Sequence, residues 1–254
     1  MTHYLLIIFM ALVPLVPDSQ STTAAMSTIV HTPTNNLEES LEFYKKLNYE
    51  VISANSPTLV TDGKVIIEIN PDRYARPGVK MYKASWKSEV QELEKLTIVH
   101  SIDNGYLLND LNGCWIYLME EEAPFEYHFP EAAFGMTGNF YGINMEASDM
   151  QKSHDIWSSL GFKIQMGELD KGFVAMGNAD GFPLALMRPQ TCPHLFFSPS
   201  MTFFNGKGNL KVIENIRKAE VPITEEITHF NKEGIVDNII IRDPGGYGFF
   251  IFSD

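Results

Sequence analysis

Residues 37–52 read LEESLEFYKKLNYEVI, an amphipathic helix that runs directly into a strand. Leu37, Leu41, Tyr44 and Leu47 recur every three or four positions, so they share one helix face. Residues 150–164, MQKSHDIWSSLGFKI, repeat the phrase. Leu37 falls on Met150, Ser40 on Ser153, Tyr44 on Trp157, Leu47 on Leu160 and Tyr49 on Phe162. Asn48 and Gly161 sit where each helix must stop, and both residue types tolerate the left-handed conformation of a helix end.

The flanks repeat too. A candidate strand precedes each helix, at 27–32 and 140–147. Two more follow in 58–70 and in 172–188, broken by the turn signals Asp62-Gly63 and Asn178–Gly181, which predict hairpins. The unit is therefore a strand, a helix and three strands. A fainter pair fills the gaps. DLNGCWIYLM (110–119) aligns with DPGGYGFFIF (243–252), each a turn followed by an apolar strand. Helix candidates lie upstream at 88–96 and 209–220, with opening strands near 80–86 and 200–205. The expectation is an α+β protein of four βαβββ units in two pairs. Each pair forms a curved mixed sheet around a cavity, with the helices outside. Residues 26–121 form the first domain, 122–138 a linker rich in Pro, Gly and charge, and 139–254 the second domain.

Bulk properties narrow the partners. A net charge of −13 with a pI near 4.9 argues against nucleic acid, whose phosphates need clustered Lys and Arg. No basic run suits an anionic membrane. Two cysteines, Cys114 and Cys192, lack metal-binding spacing and cannot build a disulfide framework. Residues 1–25 contain the apolar run YLLIIFMALVPLV, too short and Pro-broken to span a bilayer. The run reads either as an export signal or as a stretch upstream of a genuine start at Met26. The second reading is taken, which makes the protein cytoplasmic.

The pattern of LEESLEFYKKLNYEVI, VIIEIN and DPGGYGFFIF resembles the vicinal oxygen chelate superfamily of glyoxalase I, bleomycin-resistance proteins and extradiol dioxygenases. The resemblance covers residues 26–254. It implies two cavity-forming domains and, in the enzymes, metal ligands on the first and last strands of paired units. Carried over strand by strand, it points to Ile29 with His31 one pleat on, to Glu68, to Met81 or Tyr82, and to Tyr117. In the second half it points to Gly142, Leu186, Thr202 or Phe203, and Phe250. A catalytic divalent site needs three or more N or O donors, and these positions supply two at most.

Glu68 and His31 are thus the candidate catalytic pair, with burial raising the Glu68 pKa toward that of a general base. They are also the only candidate ligands should a divalent Zn, Ni, Mn or Fe ion be used. No cofactor is otherwise expected. Candidate ligand contacts are Asn70, Tyr82, Trp115, Tyr117, Asn144, Arg188 and Phe250. Laying Pro71 on Pro189 matches Asn70 with Arg188, and a guanidinium there would receive a carboxylate or phosphate in the second cavity. Three functions remain open. They are metal-independent binding of a small aromatic or apolar molecule, a metal-dependent lyase, isomerase or dioxygenase using Glu68, and a partner-binding scaffold. The expected assembly is a monomer or a homodimer.

Overall fold

A computed structural model describes residues 28–253; the leader-like stretch 1–25 and the Met26 start lie outside the described residues. The first half runs β1 (Thr28–Pro33), α1 (Leu37–Lys46), β2 (Glu50–Ser53), β3 (Thr58–Thr61), β4 (Ile66–Asn70), β5 (Gly78–Tyr82), α2 (Lys87–Leu93), β6 (Val99–Ile102), β7 (Gly105–Asn109) and β8 (Trp115–Met119). The second half repeats it as β9 (Phe140–Glu146), α3 (Met150–Ser159), β10 (Lys163–Glu168), β11 (Phe173–Gly177), β12 (Pro183–Met187), β13 (Ser200–Phe204), α4 (Asn209–Lys218), β14 (Ile223–Ile227), β15 (Asn238–Arg242) and β16 (Gly248–Phe252). These are the four βαβββ units, and consecutive units pair. One eight-stranded sheet has the order β2-β3-β4-β1-β5-β8-β7-β6, the other β10-β11-β12-β9-β13-β16-β15-β14. Both are open mixed sheets. Parallel pairs β1·β4 and β5·β8 flank an antiparallel β1·β5 seam.

Local chemistry sets the helix ends. The side chains of Asn36 and Asp149 accept from the backbone N–H groups of Glu39 and Lys152, capping α1 and α3. The chain leaves both helices through positive φ, 61° at Asn48 and 90° at Gly161. The buried face of α1 is rotated from the one expected: Ser40, Phe43, Tyr44 and Leu47 are buried, while Leu37 and Leu41 are only partly covered. Ser40 can go inside because its hydroxyl donates to Thr34 Oγ1 at 2.8 Å.

A further repeat fixes the turns before the last strand of every unit. Asp62 Oδ1 accepts from Val65 N, Asp110 Oδ1 from Cys114 N, Asn178 Oδ1 from Phe182 N and Asp243 Oδ1 from Tyr247 N, all at 2.7–2.9 Å. Asp243 also ties the halves together. Its Oδ2 accepts from Thr32 Oγ1 at 2.6 Å and from the Tyr44 hydroxyl at 2.8 Å. The Phe43 and Phe249 rings meet edge-on 5.7 Å apart, within a single apolar core that draws on both halves.

The central strands alternate between that core and the opposite, concave face. Val30, Ile67, Val79, Met81, Ile116 and Leu118 face the core. Ile29, Leu59, Ile66 and Tyr82 face the other way. The linker does not hang free. Phe125, Tyr127 and Phe129 pack on Ile29, Leu59, Ile66 and Tyr82, so residues 123–129 roof part of the first sheet's cup. Lys64 Nζ holds the same segment by donating to the carbonyls of Pro130 and Glu131.

Candidate functional site

The register places His31 beside Glu68, Ile29 beside Lys80, and Lys80 beside Tyr117. These side chains therefore meet on the concave face across the four central strands. Glu68 is 3% exposed and His31 fully buried. The chemistry there differs from the expected pair, because the nearest partner of Glu68 is Lys80, whose Nζ donates to Oε1 at 2.7 Å. His31 Nε2 stands 3.9 Å from the same oxygen. Glu68 Oε2 is buried and has no hydrogen-bond partner among the described residues.

His31 does not end its strand in solvent. Its Nδ1 lies 2.8 Å from the Arg76 carbonyl, which can only accept, so Nδ1 carries the proton. Nε2 then accepts from Asn70 Nδ2 at 3.1 Å. Burial, followed by the Lys80 charge, lowers the pKa of His31 to about 3 against the Arg76 hydrogen bond, so the ring is neutral at physiological pH. Burial lifts Glu68 above the ordinary carboxylate range, and Lys80 opposes that shift. Tyr117 tilts against His31 with ring centroids 4.4 Å apart, and its hydroxyl accepts from the Arg76 N–H at 3.0 Å. Burial raises Tyr82 too, so it remains a phenol. An opening of about 550 Å³ beside the roof, between Pro57, Glu121 and Pro124, is lined by Glu68, Asn70, Lys80 and Tyr82.

The second sheet presents a different cup. In equivalent register Asn144 lies beside Ala185, Gly142 beside Thr202, and Thr202 beside Phe250. Asn144 Nδ2 donates to Thr202 Oγ1. Above this floor is a cavity of about 610 Å³ walled by Phe196, Phe204, Phe230, Phe250 and Phe252, with Met187, Cys192 and His194. Phe250 and Phe252 stack nearly parallel, 5.6 Å apart, and Phe196 meets Phe250 edge-on at 5.1 Å. His194 packs edge-on against both stacked rings, and its Nδ1 donates to the Leu195 carbonyl at 2.7 Å. Burial and the Glu146 charge raise the pKa of Cys192, which stays a thiol.

The structure thus gathers Glu68, His31, Asn70, Tyr82 and Tyr117 around one cup, and Asn144 and Phe250 around the other. Three expectations need correction. Arg188 is not in the second cavity: it is exposed, and its guanidinium donates to the Asp170 carbonyl at 2.6 Å. The match of Pro71 with Pro189 is one residue out of structural register, and a one-residue slip reverses the face of every side chain. For the same reason Ala185, not Leu186, answers to Glu68, while Leu186 is in the core. Trp115 lies one pleat beyond Tyr117 and lines a separate surface depression with Ile98 and Leu111.

Met81 and Phe203 face the core; the cup positions are Lys80 with Tyr82, and Thr202. Sequence reasoning missed Lys80, although the alternation of Val79 and Met81 against Gly78, Lys80 and Tyr82 carried the signal. Cys192 and His194 lie on the irregular loop between β12 and β13, where no periodicity marks them.

The donor set does not fit a divalent metal ion. Glu68 and the His31 Nε2, already engaged by Asn70, are two donors where at least three are needed. Among the described residues, no group of three or more His, Cys, Asp or Glu side chains is placed to hold a metal. The ammonium of Lys80 already engages Oε1 of the carboxylate.

No family model and no curated protein sequence matches the chain. Solved structures do match. A homoprotocatechuate 2,3-dioxygenase of Brevibacterium fuscum superposes with a TM-score of 0.54 at 13% identity, over 89% of this chain and 70% of the other. The 2,3-dioxygenase LapB of Pseudomonas sp. KL28 gives 0.52 at 14% identity over 89% and 91% of the two chains. An Mn(II)-bound glyoxalase from Novosphingobium aromaticivorans gives 0.52 at 11% identity over 89% and 81%. The likeness extends over nearly the whole described chain.

Proposed function

Starting from the vicinal oxygen chelate fold that the chain shares with these dioxygenases and this glyoxalase, we propose that it binds a small, largely aromatic organic molecule in its second cup, without a metal. One observation carries the reading: a cavity of about 610 Å³ walled by phenylalanines, with Asn144 and Thr202 as its polar floor. Apolar walls with a few placed polar groups, at this size, are what small-molecule sites require. Flat ring systems gain both area burial and edge-on contact with such walls. The polar floor, Asn144 and Thr202, consists of groups that do not titrate, which favours sequestration or transport over catalysis. Each chain carries both complete sheets, which supports action as a monomer.

A second reading, a metal-dependent lyase, isomerase or dioxygenase acting at Glu68, draws support from the Mn(II)-bound glyoxalase among the similar structures. Lys80 opposes it. The test is thermal unfolding of the full chain with catechol, 2-naphthol and cyclohexanol. A ligand that binds only the native state must raise Tm. The expected order is 2-naphthol above catechol above cyclohexanol, with the gain lost in Thr202→Trp, which fills the floor. Equal melting curves with all three compounds would reject the reading.

A further inference from the structure

The charged cluster of the first cup lies outside the cavity assigned to the ligand, and its geometry stands independently of that reading. We propose that the Lys80 ammonium is the resident cation of the first cup and keeps divalent metal ions out of it. Lys80 reaches this place because β5 pairs with both β1 and β8, putting its side chain between Ile29 and Tyr117 on the concave face. From there Nζ donates to Glu68 Oε1 at 2.7 Å, with the two side chains 14% and 4% exposed. A dication bound to that carboxylate would bring two like charges within about 4 Å of each other, where little water screens them. An ammonium already neutralises the carboxylate at no such cost.

The rest of the cluster is arranged as though for a cation. His31 is anchored by Nδ1 to the Arg76 carbonyl, which turns Nε2 toward Glu68, 3.9 Å from Oε1. Glu68 Oε2 is buried without a partner. One imidazole nitrogen and one carboxylate oxygen therefore stand 3.9 Å apart, with the Lys80 ammonium on that oxygen. Removing the ammonium leaves the carboxylate valence free and His31 Nε2 as a second donor, available once it gives up its hydrogen bond from Asn70. Exchanging it for an imidazole adds a third donor, which is enough for a transition-metal site.

The experiment measures Mn(II) binding to the full chain by electron paramagnetic resonance, with Zn(II) followed by calorimetry. The unaltered chain is compared with Glu68→Gln, Lys80→Met, Lys80→His and the double change Lys80→His with Glu68→Gln. Melting curves report folding of each. The unaltered chain is expected to retain no metal. Lys80→Met should bind at least roughly tenfold more tightly, because the repulsive charge is gone. Lys80→His should bind tighter still, at about one equivalent, and the double change should return to the unaltered level. The proposal is overturned if the unaltered chain retains about one equivalent that Glu68→Gln removes. It is equally overturned if folded Lys80→His binds no more metal than the unaltered chain. A 2-naphthol response that survives in all these variants separates this result from the fate of the second-cup reading.

Discussion

In the first cup the cross-strand positions of the four central strands hold Glu68, His31, Lys80 and Tyr117; in the second, the same register positions hold Ala185, Asn144, Thr202 and Phe250. One set carries three groups able to hold charge, and an aromatic strap lies over part of its cup. The other set is small or neutral, and above it is a cavity of about 610 Å³. The core-facing positions have not diverged in this way. Val30, Ile67, Val79 and Met81 in the first half answer to Ile143, Leu184, Met201 and Phe203 in the second, all apolar and all buried. Residues packed under helices are bound to their neighbours by volume and polarity. Residues on the concave face answer only to a ligand or a loop, so duplicated cups are free to acquire different chemistry on one backbone.

The largest effect should come from breaking the charged set. Glu68→Leu leaves a buried ammonium without its partner and is expected to cost about 3–4 kcal/mol in urea unfolding. Adding Lys80→Met to it should restore most of the loss, since an apolar pair can replace a buried ion pair. A double change as unstable as the single one would mean that the pair is not the source of the cost. On the apolar side, Phe250→Ala opens a hole beside Phe252 and Phe196. It should cost about 3 kcal/mol and also abolish the response to 2-naphthol, whereas Glu68→Leu should leave that response intact.

A smaller effect separates the cups by pH. Burial holds the pKa of His31 at about 3 in the folded chain, against 6.5 for an ordinary histidine, so the unfolded chain binds the extra proton. The stability contributed by the neutral ring is complete above pH 6.5 and is lost as pH falls from there toward the folded pKa. By pH 5 the loss should be about 2 kcal/mol, relative to a His31→Gln variant that lacks this titration. The difference between the two chains is the readout, because the buried carboxylates Asp62, Asp110 and Asp243 have raised pKa values and act in the opposite sense in both. Lys80, Glu68, Tyr117, Asn70 and the Arg76 backbone face the ring. Parallel pH profiles would place His31 in water.

Much of this architecture was legible in the residues. The echo of one helix phrase marked two of the four units and the fainter echo of DLNGCWIYLM in DPGGYGFFIF the other two, and Asn48 and Gly161 marked the helix ends by their tolerance of positive φ. The placing of Glu68, Tyr82 and Tyr117 in one cup followed from the family resemblance carried over strand by strand, and the two-residue period of the first strand added His31. Failures came where one residue of register decided the outcome. Lys80 was passed over for Met81, Leu186 stood in for Ala185, and Arg188 was carried into a cavity that its side chain does not enter. Strand alternation is unforgiving of such slips. The rest was out of reach for a different reason. Phe125, Tyr127 and Phe129 lie in a segment that composition marks as linker, and Cys192 and His194 lie in an irregular loop. Where such segments pack is set by tertiary contacts that leave no period in the sequence.

That the two cups have different occupants is tested most directly by calorimetric titration of 2-naphthol into the full chain. The unaltered chain, Glu68→Gln and Thr202→Trp would be compared. The account predicts one binding site per chain, unchanged in Glu68→Gln and absent in Thr202→Trp. Binding that vanishes in Glu68→Gln and survives in Thr202→Trp would contradict it and move the functional site to the first cup.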